Sequence, residues 1–216
     1  QIKINFSMVL NLLLSHSPEE ARVLFENSFA TYILTTKGRK KKFRQMFGND
    51  PEILWREFLR HLDFLKEKGY VTSDDRLNED GRWASQLRID HPLMVAEGFR
   101  LGLFPDQDPA ILAGIMASFV NERETDDDSI PPEDIPKPLL KCFEQIDKGL
   151  HPFSVELLRK GFEAPDLYFL PALTLYMWAR GVPWEKLTEI SGMAEGNLAM
   201  LILRTADNLR HIRNIG

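Results

Sequence analysis

Apolar positions along most of this chain recur at helical rather than strand spacing. After Ser17, the residues Ala21, Leu24, Phe25, Phe29, Tyr32 and Ile33 share one face. After Asp50 the face is Trp55, Phe58, Leu59, Leu62 and Leu65, ending at Gly69; after Asp108 it is Ile111, Leu112, Ile115, Met116, Phe119 and Val120. Each run opens on the same punctuation. Ser17-Pro18-Glu19-Glu20, Asp50-Pro51-Glu52 and Asp108-Pro109 each put a side-chain acceptor ahead of a proline, where it can take an orphan amide of the first turn. Shorter helices are predicted over 92–103, 137–148, 154–160, 167–180 and 184–191, with Gly181 and Gly192 as stops. The last helix is predicted over 197–213. Leu198, Leu201, Ile202, Thr205, Leu209 and Ile212 line one of its faces, and Asn197, Arg204, Asn208 and His211 line another.

Strand-like alternation is confined to short stretches. Gln1-Ile2-Lys3-Ile4-Asn5-Phe6 alternates, which suggests a piece of a longer polypeptide; 70–71 and 76–77 read as two strands joined through Thr72-Ser73-Asp74-Asp75. Helices followed by such a hairpin predict a winged-helix module over 1–88, leading into a helical bundle over 89–216. The fold class is mostly α. The acidic, proline-rich stretch 121–138 has no apolar face and reads as a surface loop of that bundle. There is no internal repeat.

Composition narrows the function classes. With 216 residues, 44% hydrophobic and 27% charged, the chain can bury one large core or two modest ones. A net charge of -5 argues against nucleic-acid binding through bulk charge, which needs an excess of Lys and Arg to release counterions. The single cysteine, Cys142, excludes an internal disulfide framework and fits a reducing compartment, with the cytoplasm as the expected location. No apolar run reaches the roughly 18 residues of a spanning helix, so no membrane partner is expected.

The search for catalytic chemistry returns little. No Gly-Lys-Ser/Thr phosphate loop occurs, so this segment is not expected to hydrolyse ATP or to hold a cofactor. His16, His61, His91, His151 and His211 have no Cys or His at metal-ligand spacing. Cys142 falls on an amphipathic helix, where a buried structural thiol is the commoner reading. Asp126-Asp127-Asp128 could be imagined around Mg²⁺, but adjacent acids in a loop are usually only solvated.

Two features could meet nucleic acid. In 37–44, six cations lie within eight residues, among them Lys40, Lys41, Lys42 and Arg44, with Phe43 between them; a solvated loop explains the charge equally well. The second is the helix pair 184–191 and 197–213, which has the length and central glycine of a helix-turn-helix. Its second helix opens on Ala194-Glu195-Gly196-Asn197-Leu198, and a carboxylate there repels phosphate, which disfavours duplex reading. The competing reading is that Arg204 pairs with a nearby acid such as Asp207 and that Asn208 is surface decoration.

At these residues the chain resembles the C-terminal region, called DSHCT, of superkiller-type DExH-box RNA helicases, together with the winged helix before it. The resemblance covers almost the whole length. Phe6-Ser7-Met8-Val9-Leu10-Asn11-Leu12-Leu13 is similar to the segment leaving the second RecA-like domain, and Pro18-Glu19-Glu20 with Glu26-Asn27-Ser28-Phe29 to the first winged-helix helix. Successive DSHCT blocks are resembled by Leu77-Asn78-Glu79-Asp80-Gly81-Arg82-Trp83-Ala84, Pro92-Leu93-Met94-Val95-Ala96-Glu97, Ala113-Gly114-Ile115-Met116-Ala117-Ser118-Phe119-Val120, Leu175-Tyr176-Met177-Trp178-Ala179-Arg180-Gly181, and Glu195-Gly196-Asn197-Leu198 through Arg204.

The resemblance implies a non-catalytic module closing the RNA channel of a motor whose RecA-like domains supply ATP hydrolysis with Mg²⁺. It also implies that the final helix is a ratchet helix beside single-stranded RNA or DNA, with Arg204 at the family's RNA-contacting position. Asn208 and His211 join it by stripe geometry, and Glu122 and Arg123 fall near another channel position. One departure stands out. Exosome-associated relatives insert a long arch within the winged-helix module, whereas only 37–49 lies between the helices here. A bacterial-type, arch-less helicase is the natural reading, and arch-mediated docking of adaptors is not expected. Two other readings remain: a freestanding winged-helix DNA-binding regulator, and a protein-interaction scaffold using exposed aromatics such as Trp184.

Overall fold

The computed structural model describes residues 4–27, 52–121, 125, 127 and 130–215, and the chain divides into two compact units, Gln1–Gln86 and Leu87–Gly216. Both are helical among the described residues.

The first unit holds α1 (Phe6–Leu13), α2 (Pro18–Glu26), α3 (Ile53–Glu67) and α4 (Glu79–Gln86). Asn5 caps α1 by accepting the Met8 amide, so Phe6 begins a helix instead of ending a strand. Ser17 caps α2 in a reciprocal box: its hydroxyl accepts the Glu20 amide, and the Glu20 carboxylate accepts the Ser17 amide at 2.8 Å. Phe29, Tyr32 and Ile33, expected to extend that helix, lie outside the described residues. The next helix starts later than its sequence signal. Glu52 precedes the first turn of α3 without a side-chain cap, while Asp50 and Pro51 lie outside the described residues. Along α3, Trp55 stacks on Phe58 and Phe25 meets Phe58 edge-on, while His61 and Phe64 receive Phe6 from α1.

The hairpin of the expected winged helix is not formed. One antiparallel bridge, Val71 with Leu77, is all that stands between α3 and α4. Helix ends consume the rest of the segment. After Gly69 (φ 73°), the amides of Tyr70 and Val71 both turn back to the Leu65 carbonyl, and Asn78 already caps α4 by accepting the Gly81 amide. The expected tight turn does form. Thr72 Oγ1 donates to Asp74, which holds the Asp74 carboxyl below its ordinary range, and Asp75 takes φ 64°.

The second unit is a helical bundle of α5 (Pro92–Arg100), α6 (Pro109–Val120), α7 (Lys137–Arg159), α8 (Phe169–Ala179), α9 (Trp184–Ser191) and α10 (Glu195–Ile215), with a 3-10 turn at Pro132–Asp134. Asp108 caps α6 through the Ala110 and Ile111 amides. That helix is buried nearly all round rather than on one face, because α7, α8 and α10 all pack against it. It comes close to α8 at Gly114, where a Cβ would sit 2.6 Å from the Ala172 carbonyl oxygen. Ala117 and Val120 continue into a cluster with Leu175, Leu187, Leu198, Leu201 and Ile202, against which Met177, Val182, Trp184 and Met193 are packed. Trp184 is thus engaged in the core rather than exposed.

The two helices expected at 137–148 and 154–160 are one, α7, running through Pro152. Leu139, Ile146, Leu150, Phe153 and Leu157 keep a single buried face across the proline, and that packing overrides the local break signal. Gly181 (φ 83°) and Gly192 (φ 60°) do terminate α8 and α9.

Gly114→Ala is expected to lower unfolding stability by about 1–3 kcal/mol, since the two backbones have to separate. Gly196→Ala, at a helical position with open space around it, should be neutral or slightly stabilising. Thermal unfolding of the two variants side by side checks the contrast.

Candidate nucleic-acid interface

The final helix carries its polar stripe alongside its core face. Leu198, Leu201, Ile202 and Thr205 are buried, with the Thr205 hydroxyl donating back to the Leu201 carbonyl at 2.7 Å. Around the helix from them stand Arg204, Asn208 and His211, one turn apart, as the 3.6-residue period requires. Of these, Asn208 is buried, so it is not surface decoration.

The partner of the stripe is the segment just before α5. Arg204 Nη2 donates to Asp90 Oδ1 at 2.5 Å, and Asn208 Nδ2 donates to the other oxygen, Oδ2, at 3.0 Å. The backbone amide of Arg88 donates to His211 Nε2 at 3.1 Å, which makes Nε2 the acceptor nitrogen of that ring. Immediately after Asp90, His91 enters the left-handed region (φ 46°, ψ 54°) while its carbonyl accepts the first turn of α5. A non-glycine residue held there costs about 1 kcal/mol, supplied by the surrounding contacts. The Arg204 side chain is 34% exposed and that of Asp90 25%, so the pair is half-buried.

Arg204 therefore pairs with an acid 114 residues away rather than with Asp207, which bonds Arg210 at 2.7 Å. Sequence reasoning misses Asp90 because no local spacing links it to α10. Its only signal is the position before the His91-Pro92 helix start. Glu122 and Arg123 lie outside the described residues, as do Lys40, Lys41, Lys42 and Arg44. Glu195, at the start of α10, is exposed.

A second carboxylate with distant partners lies in the acidic loop. Asp127 is not merely solvated: its oxygens accept the amides of Phe169 and Leu170, the latter at 2.9 Å, closing the N-terminus of α8, and Thr125 donates to it at 2.7 Å. Its neighbours Asp126 and Asp128 lie outside the described residues. Among the described residues no His/Cys/Asp/Glu group is arranged to hold a metal. Cys142 is half-buried on α7, more accessible than a structural thiol in the core, and His61 is buried against the Glu57 carbonyl.

Two substitutions test these contacts. Asp127→Ala should cost about 1 kcal/mol through loss of the α8 cap, with Asp127→Asn intermediate, since its single oxygen replaces only one of the two carboxylate oxygens that accept the Phe169 and Leu170 amides. Asp90→Ala combined with Arg204→Ala should lose less than the sum of the single variants, with a coupling of about 1 kcal/mol for a partly exposed charged pair. Denaturant unfolding of the single and double variants measures both.

Comparison with known proteins places this geometry in context. The model of the DSHCT (NUC185) domain matches residues 74–216. The chain is similar to the ATP-dependent RNA helicase mtr4 of Schizosaccharomyces pombe, 24% identical over 152 residues that cover 68% of this chain and 14% of that protein. It is likewise similar to the Superkiller complex protein 2 of Mus musculus, 22% identical over 183 residues, 80% of this chain and 14% of that protein. For the DExH-box ATP-dependent RNA helicase DExH9 of Arabidopsis thaliana the identity is 25% over 156 residues, 68% and 15% of the two chains. The chain thus spans about one seventh of the length of these relatives.

Proposed function

The chain belongs to the DSHCT (NUC185) domain family, and from that starting point we propose that it is the non-catalytic RNA-channel region of an ATP-dependent DExH-box RNA helicase, guiding single-stranded RNA along α10. The observation that carries this reading is the stripe on that helix. A guanidinium, an amide and an imidazole stand at one-turn intervals and all bond residues 88–90; that contact buries Asn208, so Arg204 and His211, both half-buried, are the groups a strand would reach. The adjacent face is locked into the core by Leu198, Leu201 and Ile202. A helix held this way cannot roll, so a strand passing its stripe meets side chains in constant register. Sequence-tolerant contact suits a guanidinium, which can fork onto phosphate or stack on a base.

Three relatives carry the name of RNA helicase or superkiller protein, and this supports RNA as the track. ATP hydrolysis and Mg²⁺ belong in this reading to RecA-like domains elsewhere in the parent protein, which supply most phosphate contacts while this region forms a wall. The net charge of -5 agrees with that division.

In the full-length protein, Arg204→Ala is expected to slow duplex unwinding by about tenfold, the equivalent of one charge-assisted contact of about 1.4 kcal/mol. Basal ATP hydrolysis should change much less. Equal loss of both activities would count against a guiding role, and salt-sensitive duplex-DNA binding by this chain alone would favour a DNA-binding regulator.

A further inference from the structure

The two halves of α10 are held by different means. Its first half is fixed by packing, with Leu198, Leu201 and Ile202 in the apolar cluster shared with α6, α8 and α9. Beyond Thr205 that support thins, and Leu209 and Ile212 are only half-buried. From Arg204 onward the helix is bonded to residues 88–90: Asp90 accepts from Arg204 and Asn208, and the Arg88 amide donates to His211. Those residues have a particular place in the chain. The first compact unit ends at Gln86 and the second begins at Leu87, so 87–91 is the covalent junction leading into α5.

We propose that Asp90 is a positioning residue that clamps this junction to α10, so that a displacement arriving from the first unit passes into the second half of α10 instead of being absorbed by slack chain. It rests on the reading of α10 as a guide for RNA and names how that guide is coupled to the motor. The physical reason is the length of free chain. Five unrestrained residues span up to about 17 Å and would take up a small shift without moving anything beyond them. With Arg88 and Asp90 bonded to α10, the span ahead of the clamp shrinks to Leu87, which is itself buried. On the far side His91 turns the chain through a left-handed conformation straight into α5, which leaves no extended slack there. One carboxylate holding two donors a turn apart also resists both sliding and rotation of the helix, because either motion lengthens one of the two bonds.

The test uses the full-length protein and reads base pairs separated per ATP hydrolysed, alongside hydrogen–deuterium exchange by mass spectrometry. Asp90→Ala should raise exchange in peptides covering 87–91 and 205–213 by about tenfold, while protected α6 and α8 show that the bundle is folded. Base pairs per ATP should fall by about twofold or more, with RNA-stimulated ATP hydrolysis unchanged. Asp90→Asn keeps one acceptor and should fall between Asp90→Ala and wild type in both readouts. A second variant leaves every bond of the clamp in place: two glycines inserted between Gln86 and Leu87 restore slack ahead of it. That variant should lose coupling as Asp90→Ala does, with 88–91 still protected. Wild-type coupling in either folded variant would overturn the inference, and so would unchanged exchange over 87–91 in Asp90→Ala. Unchanged unwinding in Arg204→Ala would remove instead the RNA-facing reading of α10, and the coupling with it.

Discussion

Everything in the second unit depends on how closely α6 and α8 approach at Gly114. With no side chain there, the Ala172 carbonyl oxygen comes within 2.6 Å of where a Cβ would otherwise be. That proximity lets Ala117 and Val120 reach Leu175, and the resulting apolar floor is what α9 and α10 rest upon. Fully buried Ile115, Met116 and Phe119 each contribute on the order of 1.5–3 kcal/mol to the same helix. Polar contacts then fix the ends: Asp108 caps α6 and bonds Arg180 beyond the end of α8, and Asp127 caps the start of α8. The helix pair is thus defined along its length by packing and at its termini by two carboxylates.

The sequence was legible where its signals are local. Caps at Ser17 and Asp108, glycine stops at Gly181 and Gly192, and the buried face of α10 from Leu198 to Thr205 depend on neighbours within a turn or two and are formed as expected, whereas Leu209 and Ile212 are only half-buried and Asn208 is buried instead. Legibility failed where distant packing overruled a local signal. Pro152 looks like a break, yet Phe153 and Leu157 continue the apolar face begun at Leu139 and carry the helix through. The residues around Val71 and Leu77 look like strands, yet the closing turn of α3 and the cap of α4 leave only one bridging pair.

The candidate site divides along the same line. The stripe of Arg204, Asn208 and His211 follows from helical period alone. What it is attached to does not, since Asp90 is far off in sequence and carries no motif. The acidic loop offers the same lesson at smaller scale: of three consecutive aspartates, Asp127 is set apart by amides more than forty residues away. Carboxylates report their role through distant donors, and a single sequence does not reveal those donors.

The span between Asp90 and the stripe also has a kinetic side. The bonds to Arg204 and Asn208 join residues 114 and 118 positions apart, close to the full extent of the second unit. Closing a loop of that size costs more conformational entropy than any of the helix–helix contacts between neighbours in sequence, and contacts of such separation are the slow ones in folding. The caps and adjacent helix pairs can assemble early, while the stripe acquires its fixed register only once the bundle between its two ends is in place. The polar face of α10 is therefore a product of completed folding, without fixed register until α10 has docked.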